Sequence, residues 1–282
     1  MKIAIASGKG GTGKTTVAAN LALALERQGS VVLADCDVEE PNCNLFLQME
    51  YSREEPGVLP SFSCDISRCD GCGACARACR FNAIASLPDR PLFFLEMCHA
   101  CGGCVLACPH QAIMEGSRNN GTIRYASQGK LTFVSGLLDV GEAMATPLIR
   151  QMKKNLPPAE MVLIDAPPGA ACAMIEAVRE MDYIILVSEP TPFGLNDLII
   201  AMDAVEELKL PFGVVINRYG SGDDALEEYC ISRGVPIIAK IPYSREIAEA
   251  YSRGELFYNL FPELGKIVDD LAGYLREGGW KE

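Results

Sequence analysis

The stretch Gly8-Lys9-Gly10-Gly11-Thr12-Gly13-Lys14-Thr15-Thr16 lies between an apolar run, Ile3-Ala4-Ile5-Ala6, and a helix-forming segment, Val17 to Leu25. A short buried strand, a glycine loop and a helix start, in that order, leave few folds open to the chain. Glycines let successive backbone N–H groups turn toward one point, and the helix N-terminus adds partial positive charge there. Such a loop can cradle the α- and β-phosphates of a nucleotide. Lys14 is placed to reach the β- and γ-phosphates, and the Thr15 hydroxyl to ligate Mg²⁺. Gly8, Gly10, Gly11, Thr12, Gly13 and Thr16 complete the candidate cradle. A glycine turn closing an ordinary βα unit accounts poorly for the full pattern G-x-x-x-x-G-K-[ST].

Val31-Val32-Leu33-Ala34 reads as a second strand, ending in Asp35-Cys36-Asp37. Residues 38–61 read as loop, because Glu39-Glu40-Pro41 and Arg53-Glu54-Glu55-Pro56-Gly57 break both periodicities. Asn119-Asn120-Gly121 reads as a turn, after which Thr122–Ala126 and Leu131–Ser135 can pair as strands. Further on, apolar β-rich runs at Met161–Ile164, Tyr183–Val187, Val214–Ile216 and Ile237–Ile241 alternate with helical patterns near 142–154, 194–208, 223–233 and 263–276. That alternation predicts an α/β fold with a doubly wound, mostly parallel sheet and ligands at the carboxyl ends of its strands. Asp165-Ala166-Pro167-Pro168-Gly169 follows one such strand. Asp165 can hold Mg²⁺ directly or through water, and Gly169 can offer a backbone N–H to a γ-phosphate. A plain strand-end turn is the competing reading.

Between Phe62 and Gly116 the composition changes abruptly, with nine of the chain's 13 cysteines. Cys69-x2-Cys72-x2-Cys75-x3-Cys79 is followed by Cys98-x2-Cys101-x2-Cys104-x3-Cys108-Pro109. This is the spacing of bacterial two-cluster ferredoxins, in which the fourth cysteine of each run serves the other cluster. Tight x2 spacing wraps three thiolates round one cubane, and the distant fourth closes the site. One 4Fe–4S cluster is therefore assigned to Cys69, Cys72, Cys75 and Cys108, the other to Cys98, Cys101, Cys104 and Cys79. Zinc is the competing metal, since C-x2-C pairs also build zinc sites. Two zinc sites would need only pairs of pairs, and the doubled x2-x2-x3 pattern exceeds that. Arg80 stands where the second run has a proline. Even the tails repeat, Phe81-Asn82-Ala83-Ile84 against His110-Gln111-Ala112-Ile113. His99 and His110 sit beside ligands and read as packing or surface residues. The expected organisation is an ATPase domain of 1–61 and 117–282 carrying an inserted two-cluster ferredoxin module, 62–116.

The net charge of −12 disfavours binding to nucleic acid or anionic membranes. No uncharged run approaches the roughly 20 residues of a membrane span. A phosphate-loop strand starting at Lys2 leaves no room for a signal peptide. Cysteines in an intracellular enzyme read as metal ligands rather than disulfides, so a cytoplasmic location in a strongly reducing cell is expected.

Lys9 adds a second lysine to the loop, giving K-G-G-x-G-K-T-T. This resembles the deviant Walker A motif of the ATPase group that includes MinD, the nitrogenase iron protein, ArsA and Mrp-like proteins. With Asp165–Gly169 as switch II and Ser188-Glu189-Pro190-Thr191-Pro192-Phe193-Gly194, the resemblance covers nearly the whole chain. It looks like a MinD-superfamily ATPase with an inserted ferredoxin domain. The resemblance implies that Lys9 crosses a two-fold interface to the partner's nucleotide, and hence an ATP-dependent homodimer. It also implies that Asp37 positions the attacking water, making Lys9, Lys14, Asp37 and Asp165 the catalytic group. Asn217-Arg218 resembles the group's adenine-reading position, although a turn-forming Asn is an alternative. The implied cofactors are ATP, Mg²⁺ and two 4Fe–4S clusters.

Three functions follow from these readings. ATP turnover could gate electron transfer to a redox partner, or serve iron–sulfur or metal-cofactor assembly on a partner. In the third the chain is a MinD-like positioning switch with structural clusters. Clusters of the redox type make the third wasteful. A helical stripe of Leu264, Ile267, Val268, Leu271, Tyr274 and Leu275 lies opposite Asp269, Asp270 and Glu277. That acidic face suits docking on the domain rather than a membrane surface. Cys172, just past switch II, occupies an offset at which the nitrogenase iron protein holds a shared cluster. The second cysteine of that site has no counterpart in Gly141-Glu142-Ala143-Met144. Cys172 is therefore expected to be a small buried residue, with a labile metal site at the two-fold axis as the functional alternative.

Overall fold

The computed structural model describes residues 1–280. Strand β1 (Lys2–Ala6) runs into the glycine loop and helix α1 (Lys14–Glu26), followed by β2 (Val31–Asp35) and a short α2 (Asn44–Leu47). β3 (Arg53–Cys64) then leads away from the phosphate loop. At its far end lie α3 (Ala74–Ala78), the hairpin β4 (Ile84–Ser86) and β5 (Pro91–Phe93), a 3-10 turn at Leu95–Met97, and α4 (Gly103–Ala107). The chain returns along β6 (Ile113–Gln128) and β7 (Leu131–Leu138). Next come α5 (Thr146–Lys154), β8 (Met161–Asp165), α6 (Cys172–Val178), β9 (Tyr183–Ser188) and α7 (Pro192–Glu207). The remainder is β10 (Phe212–Tyr219), α8 (Ala225–Ser232), β11 (Ile237–Pro242), α9 (Arg245–Ser252), α10 (Phe257–Leu260) and α11 (Pro262–Glu277).

The main sheet has nine strands in the order β11-β10-β9-β1-β8-β2-β7-β6-β3. The seven strands from β11 to β7 are parallel, while β6 and β3 are antiparallel additions at one edge. β1, β2, β8 and β9 are covered on both faces, which is why their sequences are continuous apolar runs rather than alternations. One face packs Val32, Ala34, Ile164 and Leu186 under α5 to α8. The other packs Ile3, Ile5, Leu33 and Leu163 under α1 and α11. Val268, Leu271 and Leu275 of α11 are buried there, so the C-terminal stripe docks on the domain. No helix of the described residues is long and apolar enough to cross a membrane.

Two local readings are corrected. Residues 53–61, read as loop, belong to a strand that pairs residue by residue with β6, from Arg53 opposite Tyr125 to Cys64 opposite Ile113. Pro56 and Pro60 are tolerated because β3 is the sheet edge, where one side of the backbone has no ladder to serve. Asn119-Asn120-Gly121 is likewise no turn. It lies inside β6, where a register shift leaves Asn120 without an opposite residue. The ladder is unbroken across Ser61 opposite Gly116 and Phe62 opposite Glu115, so the short elements of the cysteine segment occupy 65–112.

Candidate functional site

The phosphate loop sits where α1 begins, at the carboxyl end of β1. Gly13 supplies the positive φ of 94° that turns the backbone into the helix. A Cβ there would stand 2.2 Å from the Asn217 amide nitrogen, so the position is closed to larger residues. One pocket is lined by Gly10, Gly11, Gly13, Lys14, Thr15 and Thr16 on the loop side. Asp37 and Asn42 face them from the segment after β2, with Pro168, Asn217, Arg218 and Tyr243 at further strand ends. Asn217 Nδ2 donates to the Thr12 carbonyl at 2.8 Å, so this asparagine braces the loop.

Beneath the loop lie two fully buried carboxylates. Thr15 Oγ1 donates to Asp165 Oδ2 at 2.7 Å, while Asp165 Oδ1 is buried with no hydrogen-bond partner. Asp35 accepts the backbone N–H groups of Asn42 (2.9 Å) and Cys43 (3.0 Å), which shapes the segment carrying Asp37. The Cys43 thiol donates to Asp165 Oδ2 at 3.4 Å. Burial pushes all three aspartates up, Asp37 to about 6, with Lys14 opposing the shift at Asp37 and Asp165. At Asp35 the neighbouring Asp165 charge adds to the burial effect. The orphaned Asp165 oxygen and the adjacent Thr15 hydroxyl are hard oxygen donors suited to Mg²⁺. Sequence reasoning missed Cys43, which carries no motif signal. Asp35 has no role in the sequence reading beyond ending its strand.

Lys9 and Arg218 meet on one carboxylate. Lys9 Nζ lies 2.6 Å from Glu189 Oε1, and Arg218 Nη1 lies 2.7 Å from Glu189 Oε2. Glu189 belongs to the Ser188–Gly194 signature but was given no role. The Gly169 N–H donates to the Ser7 carbonyl at 2.9 Å, so here it points away from the pocket, and Pro168 forms the switch II wall instead. Gly8 packs against α7, where a Cβ would meet the Asp197 carbonyl oxygen at 1.9 Å.

Cys69, Cys72, Cys75 and Cys108 line a single recess with His110 at its rim. Cys98, Cys101 and Cys104 gather separately, and Cys79 packs in the core shared by both sets. The two halves repeat each other in space. α3 and α4 each start from a left-handed glycine, Gly73 (φ 70°) and Gly102 (φ 72°). The Ala83 N–H donates to Cys79 Sγ and the Ala112 N–H to Cys108 Sγ, both at 3.3 Å. Burial alone would raise the Cys108 thiol, but surrounding backbone N–H groups outweigh it and hold the thiol below its ordinary value. A backbone nest of this kind favours thiolate, the form that binds metal.

Spacing between sulfurs bears on which metal fits. Around a single zinc, Zn–S bonds of about 2.3 Å place tetrahedral thiolates about 3.8 Å apart. Among the described residues no three of these thiols lie within 4.8 Å of one another; the one such ligand group is Asp35, Cys43 and Asp165. Thiols spread round a recess fit a polynuclear cluster better than one ion. His99 stacks on Phe81 at 3.6 Å between ring centroids, and His110 pairs with Asp70 at 2.9 Å, so each histidine has a partner other than a thiol.

Cys172, expected to be buried, is exposed on the first residue of α6. It follows an extended residue at the helix start, before the helix turns its apolar face inward. A physical link joins the two regions. Arg118 pairs with Glu142, in the loop after β7, and its Nη2 donates to the Leu95 carbonyl at 2.9 Å. Leu95 opens the turn that leads into Cys98. At the other end the Leu138 N–H donates to the carbonyl of Val38, the residue after Asp37, at 2.8 Å.

Residues 3–257 match the family model of the CobQ/CobB/MinD/ParA nucleotide binding domain. The uncharacterized protein MJ0578 of Methanocaldococcus jannaschii is 30% identical over 98% of this chain and 97% of its own length. An iron-sulfur cluster carrier protein of Pyrococcus abyssi is 24% identical, over 90% of this chain and 77% of its own. The structure of the septum site-determining protein MinD from Pyrococcus horikoshii, complexed with Mg-ADP, superimposes with a TM-score of 0.60 at 21% identity. It covers 97% of this chain and 95% of that one, a likeness of fold. With its phosphate loop at a strand end of a mostly parallel sheet, the chain belongs to the CobQ/CobB/MinD/ParA nucleotide-binding family of P-loop ATPases.

Proposed function

We propose that this chain is an ATP-hydrolysing iron–sulfur protein, a nucleotide-gated homodimer that couples ATP turnover to a partner through electron transfer or cluster assembly. The observation that carries the reading is the pair of thiol sets, one of them lining a recess, with Arg118 tying Leu95 to Glu142 in the loop after β7, the strand whose Leu138 N–H donates to the Val38 carbonyl. The low-identity likeness to an iron-sulfur cluster carrier supports the assembly branch. Two complete four-thiol sets support the redox branch.

In the nucleotide pocket each residue has a separable task. Loop N–H groups and Lys14 hold the phosphates, while Thr15 and Asp165 present oxygens to Mg²⁺. Asp37, half-buried at the pocket wall, accepts a hydrogen bond from water and aims it at the γ-phosphate. Lys9 must leave Glu189 to reach a partner's nucleotide, so the Lys9–Glu189 pair opposes the paired state. Asn217 is held by the loop and keeps Gly13 in register, next to the base.

In the insert, Cys69, Cys72, Cys75 and Cys108 would hold one 4Fe–4S cluster, and Cys98, Cys101, Cys104 and Cys79 the other. Bound clusters supply one-electron chemistry. The positioning-switch alternative is weaker, because α11 spends its apolar stripe on the domain core. The test is anaerobic purification with metal and sulfide analysis. About eight iron and eight sulfide per chain are expected. Two zinc ions without sulfide would refute the reading.

A further inference from the structure

Two aspartates end neighbouring parallel strands at the same level. Asp35 closes β2 opposite Asp165, which closes β8, and both are buried. The turn between β2 and α2 brings a thiol to them. Asp35 Oδ2 accepts the N–H groups of Asn42 and Cys43, which fixes the buried Cys43 at the start of α2. Cys43 Sγ then stands 3.4 Å from Asp165 Oδ2. One ligand atom from each of Asp35, Cys43 and Asp165 lies within 4.8 Å of the other two, and no other such group occurs among the described residues.

Left alone, this arrangement is costly. Two buried carboxylates side by side repel, and each needs donors where water is absent. Asp35 has its backbone N–H groups. Asp165 takes Thr15 and Cys43 both on Oδ2, and its buried Oδ1 has no donor. A free oxygen on a buried carboxylate, beside a thiol and a second carboxylate, calls for a cation.

The donor set selects which cation. One thiolate with two carboxylates is too soft for Mg²⁺, which favours octahedral oxygen, and suits the borderline ions Zn²⁺, Fe²⁺ and Co²⁺. Round tetrahedral zinc, a sulfur at about 2.3 Å and an oxygen at about 2.1 Å stand about 3.6 Å apart. The 3.4 Å between Cys43 Sγ and Asp165 Oδ2 is already close to that spacing. No three thiols of the insert are as tightly grouped.

We infer that Asp35, Cys43 and Asp165 form a binding site for a borderline divalent cation beneath the phosphate loop, and that its occupation opposes ATP turnover. On binding, the Cys43 thiol loses its proton to solvent, bonds form from the metal to Sγ and to the carboxylates, and no electron moves. Three protein ligands leave a fourth position for water. Opposition follows from sharing, because Thr15 and Cys43 both hold Asp165 Oδ2. A cation drawn to the thiol claims the carboxylate that Thr15 and Mg²⁺ would otherwise use. It also pins the segment from Asp35 to Cys43, which carries Asp37. The site stands on this geometry, whereas the inhibition rests on the ATPase reading above and extends it.

The test uses the full chain, purified anaerobically, as wild type, Cys43→Ala and Cys43→Ser. Each is incubated with zinc in the absence of nucleotide and gel-filtered, and its zinc and iron are counted. Zinc is the probe because its X-ray absorption edge is separate from that of iron. Wild type is expected to retain about one more zinc per chain than Cys43→Ala, and the difference between their zinc spectra should show one sulfur among oxygens. Zinc should slow MgATP hydrolysis severalfold in wild type and far less in Cys43→Ala, each compared with its own zinc-free rate. Equal zinc in the two proteins, or a shell of sulfur alone, would overturn the site. Zinc held through Cys43 with turnover unaffected would overturn the inhibition. A wild type that hydrolyses no ATP would instead remove the ATPase reading, and the zinc count would still decide the site. Should Cys43→Ala not accumulate, Cys43→Ser, of nearly the same shape, decides. Loss of the single sulfur from the zinc shell is then expected, and an unchanged shell would overturn the proposal.

Discussion

The nucleotide pocket and the thiol insert are held together by different physics. The pocket hangs on strands β1, β2 and β8, whose residues are buried on both faces and anchored by α1 and α11. The insert's core is small, a cluster of Phe62, Cys75, Ile84, Cys104 and Ile113 beside the buried Ala83 and Ala112, and two of these are thiols assigned to metal. A core that small cannot offset the chain entropy of the segment it organises. One region is made by hydrophobic burial and can wait for its ligand. On the cluster reading proposed above, the other takes its order from its metal.

The largest effect expected from this contrast is selective collapse. Stripping metal should expose the backbone amides of 65–112 to hydrogen exchange while those of β1, β8 and β9 remain protected. Nucleotide binding should survive. Loss of protection in both regions together would show that the insert is an integral part of the ATPase core.

Within the pocket the next effect separates holding from turning over. Lys14→Ala should abolish tight nucleotide binding with iron content unchanged. Asp37→Ala should keep binding yet lower turnover by roughly 10²-fold or more, since it removes water positioning rather than the cradle. Normal hydrolysis by Asp37→Ala would show that another group orients the water.

The sequence made the pocket legible because each of its parts sits at the end of an apolar run. Ile3–Ala6, Val31–Ala34 and Val162–Ile164 are strands, and Gly8–Thr16, Asp37 and Asp165 follow them. The gathering of Cys69, Cys72, Cys75 and Cys108 round one recess was legible from spacing alone. Glu189 and Cys43 were not, because their partners Lys9, Arg218 and Asp165 lie far away along the chain and meet them only across the sheet. β3 was hidden for a related reason. Its prolines contradict strand propensity, and only pairing with β6 overrides them. Cys172 misled because position past switch II says nothing of which side of α6 it occupies.

Arg118 tests the link between the regions. Arg118→Ala should leave both iron content and ATP binding intact, yet abolish any influence of nucleotide on the insert. Arg118→Lys should restore the influence only in part, since one ammonium cannot serve Glu142 and the Leu95 carbonyl with Arg geometry. An unchanged nucleotide response in Arg118→Ala would mean that coupling runs elsewhere.

The smallest effect concerns pH. Asp37 is raised from 3.8 to about 6, and Asp35 and Asp165 are raised as well. Raised carboxyls bind more protons folded than unfolded, so the contribution of Asp37 is fully present below about pH 4 and fades as pH climbs through 6, while that of the more strongly raised Asp35 fades at higher pH. Thermal melts of the nucleotide-free protein should therefore show this contribution declining over that window. Mg²⁺ and nucleotide should flatten the decline by giving Asp165 a cation. An identical slope with and without Mg²⁺–nucleotide would argue against a cation at Thr15 and Asp165.

The claim that nucleotide state governs the clusters is tested most directly by redox titration of the anaerobic protein, followed by electron paramagnetic resonance, with MgATP, with MgADP and with neither. The expected result is a 4Fe–4S signal whose midpoint potential or rate of reduction shifts with MgATP in wild type and is indifferent to it in Lys14→Ala. A signal that responds identically in all three nucleotide states would contradict gating and leave two independent modules on one chain.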